Sequence, residues 1–187
     1  MPDSATSRSG AIVIAAATDA DLDDITAIYA HHVGEGLASF EETPPDRAEM
    51  ARRRAKVLAQ GLPYLVARAN GRVIGYAYVA LYHQRPAYRY TVEDSIYVAP
   101  LATGQGAGRA LLARLIAEAT EAGKRRMIAV IGDSANSASI GLHATLGFRV
   151  VGTLPSVGFK LGRWVDSVLM QRPLGDGDLT HPFRSGD

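Results

Sequence analysis

Between Ser95 and Leu112 the chain reads Ser-Ile-Tyr-Val-Ala-Pro-Leu-Ala-Thr-Gly-Gln-Gly-Ala-Gly-Arg-Ala-Leu-Leu, and no other stretch limits its architecture as tightly. A β-branched and aromatic run stops at Pro100, three glycines follow at alternate positions, and an apolar-periodic helix begins. Glycine accepts the positive backbone angles that a sharp strand-to-helix turn demands. It also lets main-chain N–H groups converge at a helix N-terminus, where the dipole favours negative charge. Strand, turn and helix in this order make a cradle for a pyrophosphate.

Three kinds of glycine turn are compatible with that description. A P-loop needs Lys and then Ser or Thr after its last glycine, whereas Gly108 is followed by Arg109 and Ala110. A dinucleotide fingerprint comes nearer. Gly104-Gln-Gly106-Ala-Gly108-Arg109 follows a strand and opens a helix, and Asp133 stands where a ribose-binding acid sits in such folds. Its third glycine falls on Arg109, however, and only one βαβ unit surrounds the turn. The third kind is a coenzyme A loop.

Composition narrows the field by exclusion. At 187 residues the chain suits one domain with a real core. Twenty Lys and Arg against 19 Asp and Glu give no basic or acidic bias, so nothing demands nucleic acid or an anionic membrane. The absence of cysteine removes disulfides, a thiol nucleophile and thiolate metal sites. The five His lack helical metal-ligand spacing, so no metal is expected. No apolar run approaches the roughly 18–20 residues that span a bilayer, and residues 1–10 carry no apolar segment resembling a secretion signal. A cytoplasmic protein is the expectation.

Patterning predicts the order β α α β β β α β α β β, an α+β or mixed α/β domain over residues 11–174. A polar leader (1–10) and a polar tail (175–187) flank it. Ala11–Ala16 reads as a strand, Thr18 or Asp19 caps a helix bearing Leu22, Ile25, Ile28 and Tyr29, and Asp46 caps a second helix. The Arg52, Arg53, Arg54 and Lys56 cluster on that second helix reads as a solvated face. Asn70-Gly71 joins two strands in a tight hairpin. The glycine-turn helix spans about 108–122, Met127–Ile131 is a buried strand, and Ser134–Leu146 is a helix with Ile140, His143 and Leu146 on one side. Two final strands, Phe148–Leu154 and Trp164–Gln171, are separated by Gly158–Arg163.

With these elements in place, the central segment resembles the acyl-coenzyme A loop of the GCN5-related N-acetyltransferases, the GNAT family. That loop reads Gln or Arg, two residues, Gly, one residue, Gly or Ala. Gly106 and Gly108 match, Val98-Ala-Pro100 stands at the strand end, and Thr103 departs from the first position. Asn136 through Gly147-Phe148 resembles the second signature of the family, with His143 at its proton-donor position. Tyr88–Val98, Gly158–Asp166 and Ser39–Pro45 resemble one branch, the phosphinothricin and methionine sulfone or sulfoximine N-acetyltransferases. Leu161 stands where narrow phosphinothricin enzymes often carry His, which makes the methionine-derivative group the closer match.

The resemblance implies a mixed, mostly antiparallel sheet of about seven strands flanked by about four helices, and acetyl-coenzyme A (acetyl-CoA) as co-substrate. It implies Glu93 as general base and His143 as acid toward the departing thiolate. The thioester oxygen is expected at a bulge exposing the N–H groups of Ile96, Tyr97 and Val98. Gly104, Gln105, Gly106, Ala107, Gly108 and Arg109 are expected to hold the pyrophosphate, and Asn136 and Ser139 the pantetheine arm. Phe40, Tyr78, Arg85 and Tyr90 are the expected acceptor contacts. Many relatives are homodimers, so a homodimer is expected. Two other readings stay open: acetylation of a protein N-terminus or lysine, and a non-catalytic acyl-CoA sensor.

Overall fold

The computed structural model describes residues 11–182; the expected leader and the last five residues of the expected tail lie outside them. Among the described residues the elements follow the expected order. They are β1 (Val13–Ala16), α1 (Leu22–Glu35), α2 (Arg47–Ala59), β2 (Tyr64–Ala69), β3 (Arg72–Leu81), β4 (Thr91–Val98), α3 (Ala107–Glu121), β5 (Arg126–Gly132), α4 (Ser137–Thr145), β6 (Arg149–Lys160) and β7 (Arg163–Pro173). All seven strands join one sheet in the order β1-β2-β3-β4-β5-β7-β6. Only the β4–β5 pair is parallel, because α3 carries the chain back between them. Among the described residues no helix is long and apolar enough to cross a membrane.

Each helix has a local cause. Asp46 caps α2 by accepting from the Glu49 N–H at 2.7 Å. In α3, Leu111, Leu112, Leu115 and Ala119 recur on one face and are completely buried. Gly123, at φ 74°, ends that helix. Asn70 and Gly71 both take positive φ (50° and 76°), as the two-residue hairpin between β2 and β3 requires.

Side-chain alternation along the strands gives the sheet two different faces. On one, Tyr64, Tyr76, Tyr78 and Tyr97 stack, with Tyr64 and Tyr78 centroids 5.0 Å apart, and Tyr29 of α1 meets Tyr97 edge-on at 4.9 Å. On the other, α3 comes so close that a Cβ at Gly75 would lie 3.3 Å from Leu111.

The last hairpin differs from expectation. β6 runs on to Lys160, and the reversal needs only Leu161 and Gly162 at φ 50° and 75°. Gly158 is therefore a strand residue, not a loop residue. The α2 arginines also differ from a purely solvated face. Arg54 bonds the Ala17 carbonyl and Asp19, and Arg53 bonds Glu41 and Glu49. At the C-terminus, residues 175–182 fold back on β5, with Asp178 3.1 Å from Arg126 and Thr180 2.8 Å from Arg125.

Asp21 links the first helical turn to the sheet. Its side chain is 2% exposed, accepts from the Thr18 N–H and hydroxyl at 2.8 and 2.9 Å, and pairs with Arg68 of β2. Burial alone would raise its pKa, but the Thr18 donors and Arg68 outweigh burial and hold it below the usual carboxylate value. A lowered folded pKa stabilises the protein above the unfolded value and loses that contribution as pH falls through the folded one. Asp21→Asn is expected to cost about 2 kcal/mol in urea unfolding at neutral pH, and the deficit should shrink as the pH drops below about 4.

Candidate active site

The site begins where the sheet stops being continuous. β4 and β5 pair only from Thr91 with Arg126 to Asp94 with Ala129. Beyond that point β4 keeps its register with β3 as far as Val98, while β5 keeps its register with β7 as far as Gly132. Each strand stays with its antiparallel neighbour, and the two part as a wedge. His32 of α1 helps hold β4 on its own side, with Nε2 donating to the Val98 carbonyl at 2.9 Å. The expected bulge in β4 is absent. Its register with β3 is regular, and divergence from β5 is what uncovers the main chain of Ser95–Val98.

A cavity of about 420 Å³ fills the wedge. It is lined by Glu93–Tyr97 of β4, Ala129–Gly132 of β5, Ala38–Glu41 of the α1–α2 loop, and by Tyr78, Asn136, Ser139, His143 and Ser167. Eight sequence-derived residues thus meet there: Glu93, His143, Ile96, Tyr97, Asn136, Ser139, Phe40 and Tyr78.

Arg85 and Tyr90 do not join them. Arg85 lines a separate hollow with His83, Gln84 and Tyr88, and Tyr90 lines another beside Lys124. Leu81, near which the Arg85 segment begins, lies opposite Val92, and Tyr90 immediately precedes β4. Both therefore sit at the closed end of the wedge, where β4 and β5 are still paired.

Successive strand residues point to opposite faces, so Glu93 and Asp94 serve the cavity from two sides of β4. Burial raises the Glu93 pKa above the ordinary carboxylate value, and the neighbouring Asp94 charge adds to the rise. On the other face His143 projects from α4. Asn136 positions that helix, its side-chain oxygen capping the Ser139 N–H at 3.1 Å. The Asn136 carbonyl oxygen is thereby engaged, which leaves its amide NH₂ for a ligand.

His143 has a partner at each ring nitrogen. Its Nδ1 donates to the Ser139 carbonyl at 2.7 Å, and its Nε2 lies 3.0 Å from Asp94 Oδ2. Burial disfavours the imidazolium, but the Asp94 hydrogen bond and charge, with the Ser139 carbonyl, outweigh it and raise the pKa above 6.5. The signal for Asp94 was a second acid beside Glu93 in an otherwise apolar strand. Its pairing with a helix 49 residues away was invisible.

A strap formed by the α1–α2 loop, part of the Ser39–Pro45 segment that the resemblance singled out, roofs part of the cavity. Tyr29 accepts from the Ser39 hydroxyl at 3.0 Å and donates to Glu41 at 2.9 Å. Arg53 donates to Glu41 at 2.6 Å, and buried Lys160 donates to the Ser39 carbonyl at 2.5 Å. Two glycines form the seat. A Cβ at Gly132 would collide with the Leu37 carbonyl, and one at Gly158 would lie 2.5 Å from the Phe40 ring.

The glycine turn lies outside this cavity, on the surface. Gly104 and Gly106 adopt φ 76° and 89°, and a Cβ on either would meet nothing within 4 Å. No side chain caps α3 at Gly106, which leaves its first N–H groups for an anion. Gly108 does a different job. A Cβ there would lie 3.2 Å from Leu142, so its absence lets α3 approach α4. These features suit the diphosphate of coenzyme A, with the reactive end of such a ligand reaching toward the wedge.

Comparison with known proteins agrees with this architecture. Residues 25–148 match the acetyltransferase (GNAT) family. The chain belongs to that family and is an acetyl-CoA-dependent N-acetyltransferase. It is 61% identical over 164 residues to the phosphinothricin N-acetyltransferase of Alcaligenes faecalis, covering 88% of this chain and 83% of that one. It is 44% identical over 161 residues to the L-methionine sulfoximine/L-methionine sulfone acetyltransferase of Salmonella typhimurium, covering 86% and 93%. Among solved structures, the phosphinothricin acetyltransferase of Sinorhizobium meliloti in complex with acetyl-CoA superposes with a TM-score of 0.91 at 48% identity, covering 93% of this chain and 94% of that one.

The expectation drawn from Leu161, that the methionine-derivative enzymes are the nearer group, holds against the Streptomyces coelicolor phosphinothricin N-acetyltransferase at 38% identity but not against that of Alcaligenes faecalis at 61%. Leu161 sits at the exposed tip of the β6–β7 turn, away from the wedge, and says little about the acceptor.

Gly132→Ala is expected to push the strap off its seat, since the obstructing atom belongs to the Leu37 backbone. The cost should be about 1–3 kcal/mol of stability, seen as a lowered Tm, with a larger proportional loss of acetyl transfer.

Proposed function

We propose that this N-acetyltransferase acts on the amine of a small amino-acid analogue of the phosphinothricin or methionine sulfone and sulfoximine type. Transfer is direct, with no covalent enzyme intermediate. The observation that carries this reading is the wedge: Glu93 and His143 both line it, from opposite faces of one strand, beside main chain that has left its β5 partner.

The chemistry follows from those positions. An α-ammonium must lose a proton before it can attack. Glu93 takes that proton, and its raised pKa makes it a better match to an amine than an ordinary glutamate. The main-chain N–H groups of Ile96 and Val98, which point away from β3 while that of Tyr97 faces it, polarise the thioester oxygen, and His143 returns a proton on the leaving-group side. The N–H groups of Gly104–Arg109 hold the diphosphate, and the Asn136 amide, with Ser139 beside it, faces the pantetheine arm. Phe40 and Tyr78 bound the acceptor, whose cationic amine is drawn by Glu93. Arg85 and Tyr90 have no part in this scheme. The roofing strap supports a small acceptor over a peptide.

A thiol-release assay with acetyl-CoA tests the reading against phosphinothricin, methionine sulfone, methionine sulfoximine, free amino acids and a peptide. Turnover is expected with the analogues. Preference for the peptide, or no release with any acceptor, would overturn it. Glu93→Gln is expected to lower kcat roughly 100-fold while acetyl-CoA still binds. The wild-type rate should fall on acidification at a pH above the ordinary glutamate range, because the base must be ionised and its pKa is raised.

A homodimer is part of this proposal. β6 is a sheet edge, and Val150, Val151, Leu154, Val157 and Phe159 stand exposed along it, with Trp164 opposite on β7. An apolar hairpin of this size on a sheet edge calls for cover, and a second copy supplies it symmetrically. Sedimentation should give a dimer, and Phe159→Asp with Trp164→Asp should give a monomer of unchanged helix content. A cytoplasmic location, expected from the composition, completes the proposal.

A further inference from the structure

Both nitrogens of His143 are engaged. The Ser139 carbonyl can only accept, so Nδ1 carries a hydrogen; Nε2 faces a carboxylate, so it shares a hydrogen with Asp94 as well. The pair is enclosed, with side chains 5% and 2% exposed, and the Phe148 ring stands edge-on to the imidazole at 5.0 Å. Asp94 Oδ1 has no hydrogen-bond partner among the described residues. The carboxylate is therefore held for His143 alone.

We propose that Asp94 is a positioning residue for the second half of the reaction, fixing His143 as a doubly hydrogen-bonded imidazolium whose Nε2 proton is ready for the departing sulfur. This role rests on the direct-transfer reading given under the proposed function. As the carbon–sulfur bond breaks, its electron pair stays on sulfur and takes the Nε2 proton, and the Nε2–Asp94 hydrogen bond breaks in the same step. Asp94 remains a carboxylate, His143 becomes neutral, and solvent restores the proton before the next turnover. A buried imidazole without Asp94 would be neutral near pH 7 and have no such proton to give.

The charged surroundings support a single partner. Glu93 is next to Asp94 but on the opposite face of β4. β5 is uncharged between Arg126 and Gly132, α4 bears no other charged residue, and α3 meets α4 through Gly108 and Leu142. Ser167 of β7 is neutral. Removing the Asp94 charge has two consequences of the same sign. It lowers the His143 pKa, and it relieves the charge that helps raise the Glu93 pKa.

The test uses the full chain with acetyl-CoA and methionine sulfone. In the unmodified protein, ¹⁵N NMR of the histidines should show both His143 nitrogens protonated at neutral pH. In Asp94→Asn the His143 resonance should titrate at lower pH, and both limbs of the kcat–pH profile should move toward acid. At neutral pH kcat should fall roughly 10- to 100-fold, with the KM for acetyl-CoA within about twofold. Asp94→Asn and His143→Gln together should cost no more than the worse single change, because the two act as one unit. A neutral His143 in the unmodified protein, or an Asp94→Asn variant with unshifted limbs, overturns the proposal. Should methionine sulfone not be acetylated, the proposed acceptor class fails, while the NMR arm still decides the pairing.

Discussion

The divergence of β4 from β5 is the constraint on which the rest of this structure depends. A parallel pair is held only while both strands can keep their outer neighbours, and here the antiparallel partners win. After Asp94 and Ala129 the two halves of the sheet separate, each half stabilised by its own ladder and its own helices. α1, α3 and the tyrosine stack support the β1–β4 side of the opening, and α4 packs against β5 on the other. Main-chain amides that would be hidden in a continuous sheet are thus placed beside a cavity without breaking the core.

The two faces of β4 divide the titratable groups of the cavity. Glu93 lies on the side of the tyrosines and the strap, and Asp94, with His143 against it, lies on the side of α3 and α4. The adjacent residues Glu93 and Asp94 face apart because successive strand side chains alternate, so one short element separates the two carboxyl groups without any loop between them. Burial acts oppositely on Glu93 and His143. It raises the pKa of the carboxyl and works against the imidazolium, which Asp94 and the Ser139 carbonyl then restore.

Much of the fold was legible in the sequence because it is written in local signals. Asn70-Gly71, the capping Asp46, the α3 leucines and the glycine turn each act over a few residues, and the structure follows each of them. Resemblance singled out Glu93, His143, Asn136 and Phe40, which meet at one cavity. What escaped was long-range: Asp94 against His143, Lys160 against Ser39, Gly158 beneath Phe40. No periodicity encodes these, since each partner has a local role that the sequence explains well enough without the other. Arg85 and Tyr90 line other hollows. Their nearness to Glu93 along the chain conceals the direction in which the wedge opens.

The seat of the strap is made from side chains that are missing. Gly132 and Gly158 accommodate Leu37 and Phe40 by vacancy and shape. Ser39 and Glu41 are tied down differently, by hydrogen bonds with Tyr29, Arg53 and Lys160. One added methyl group at either glycine would therefore displace the roof while every residue of β4 stayed in place.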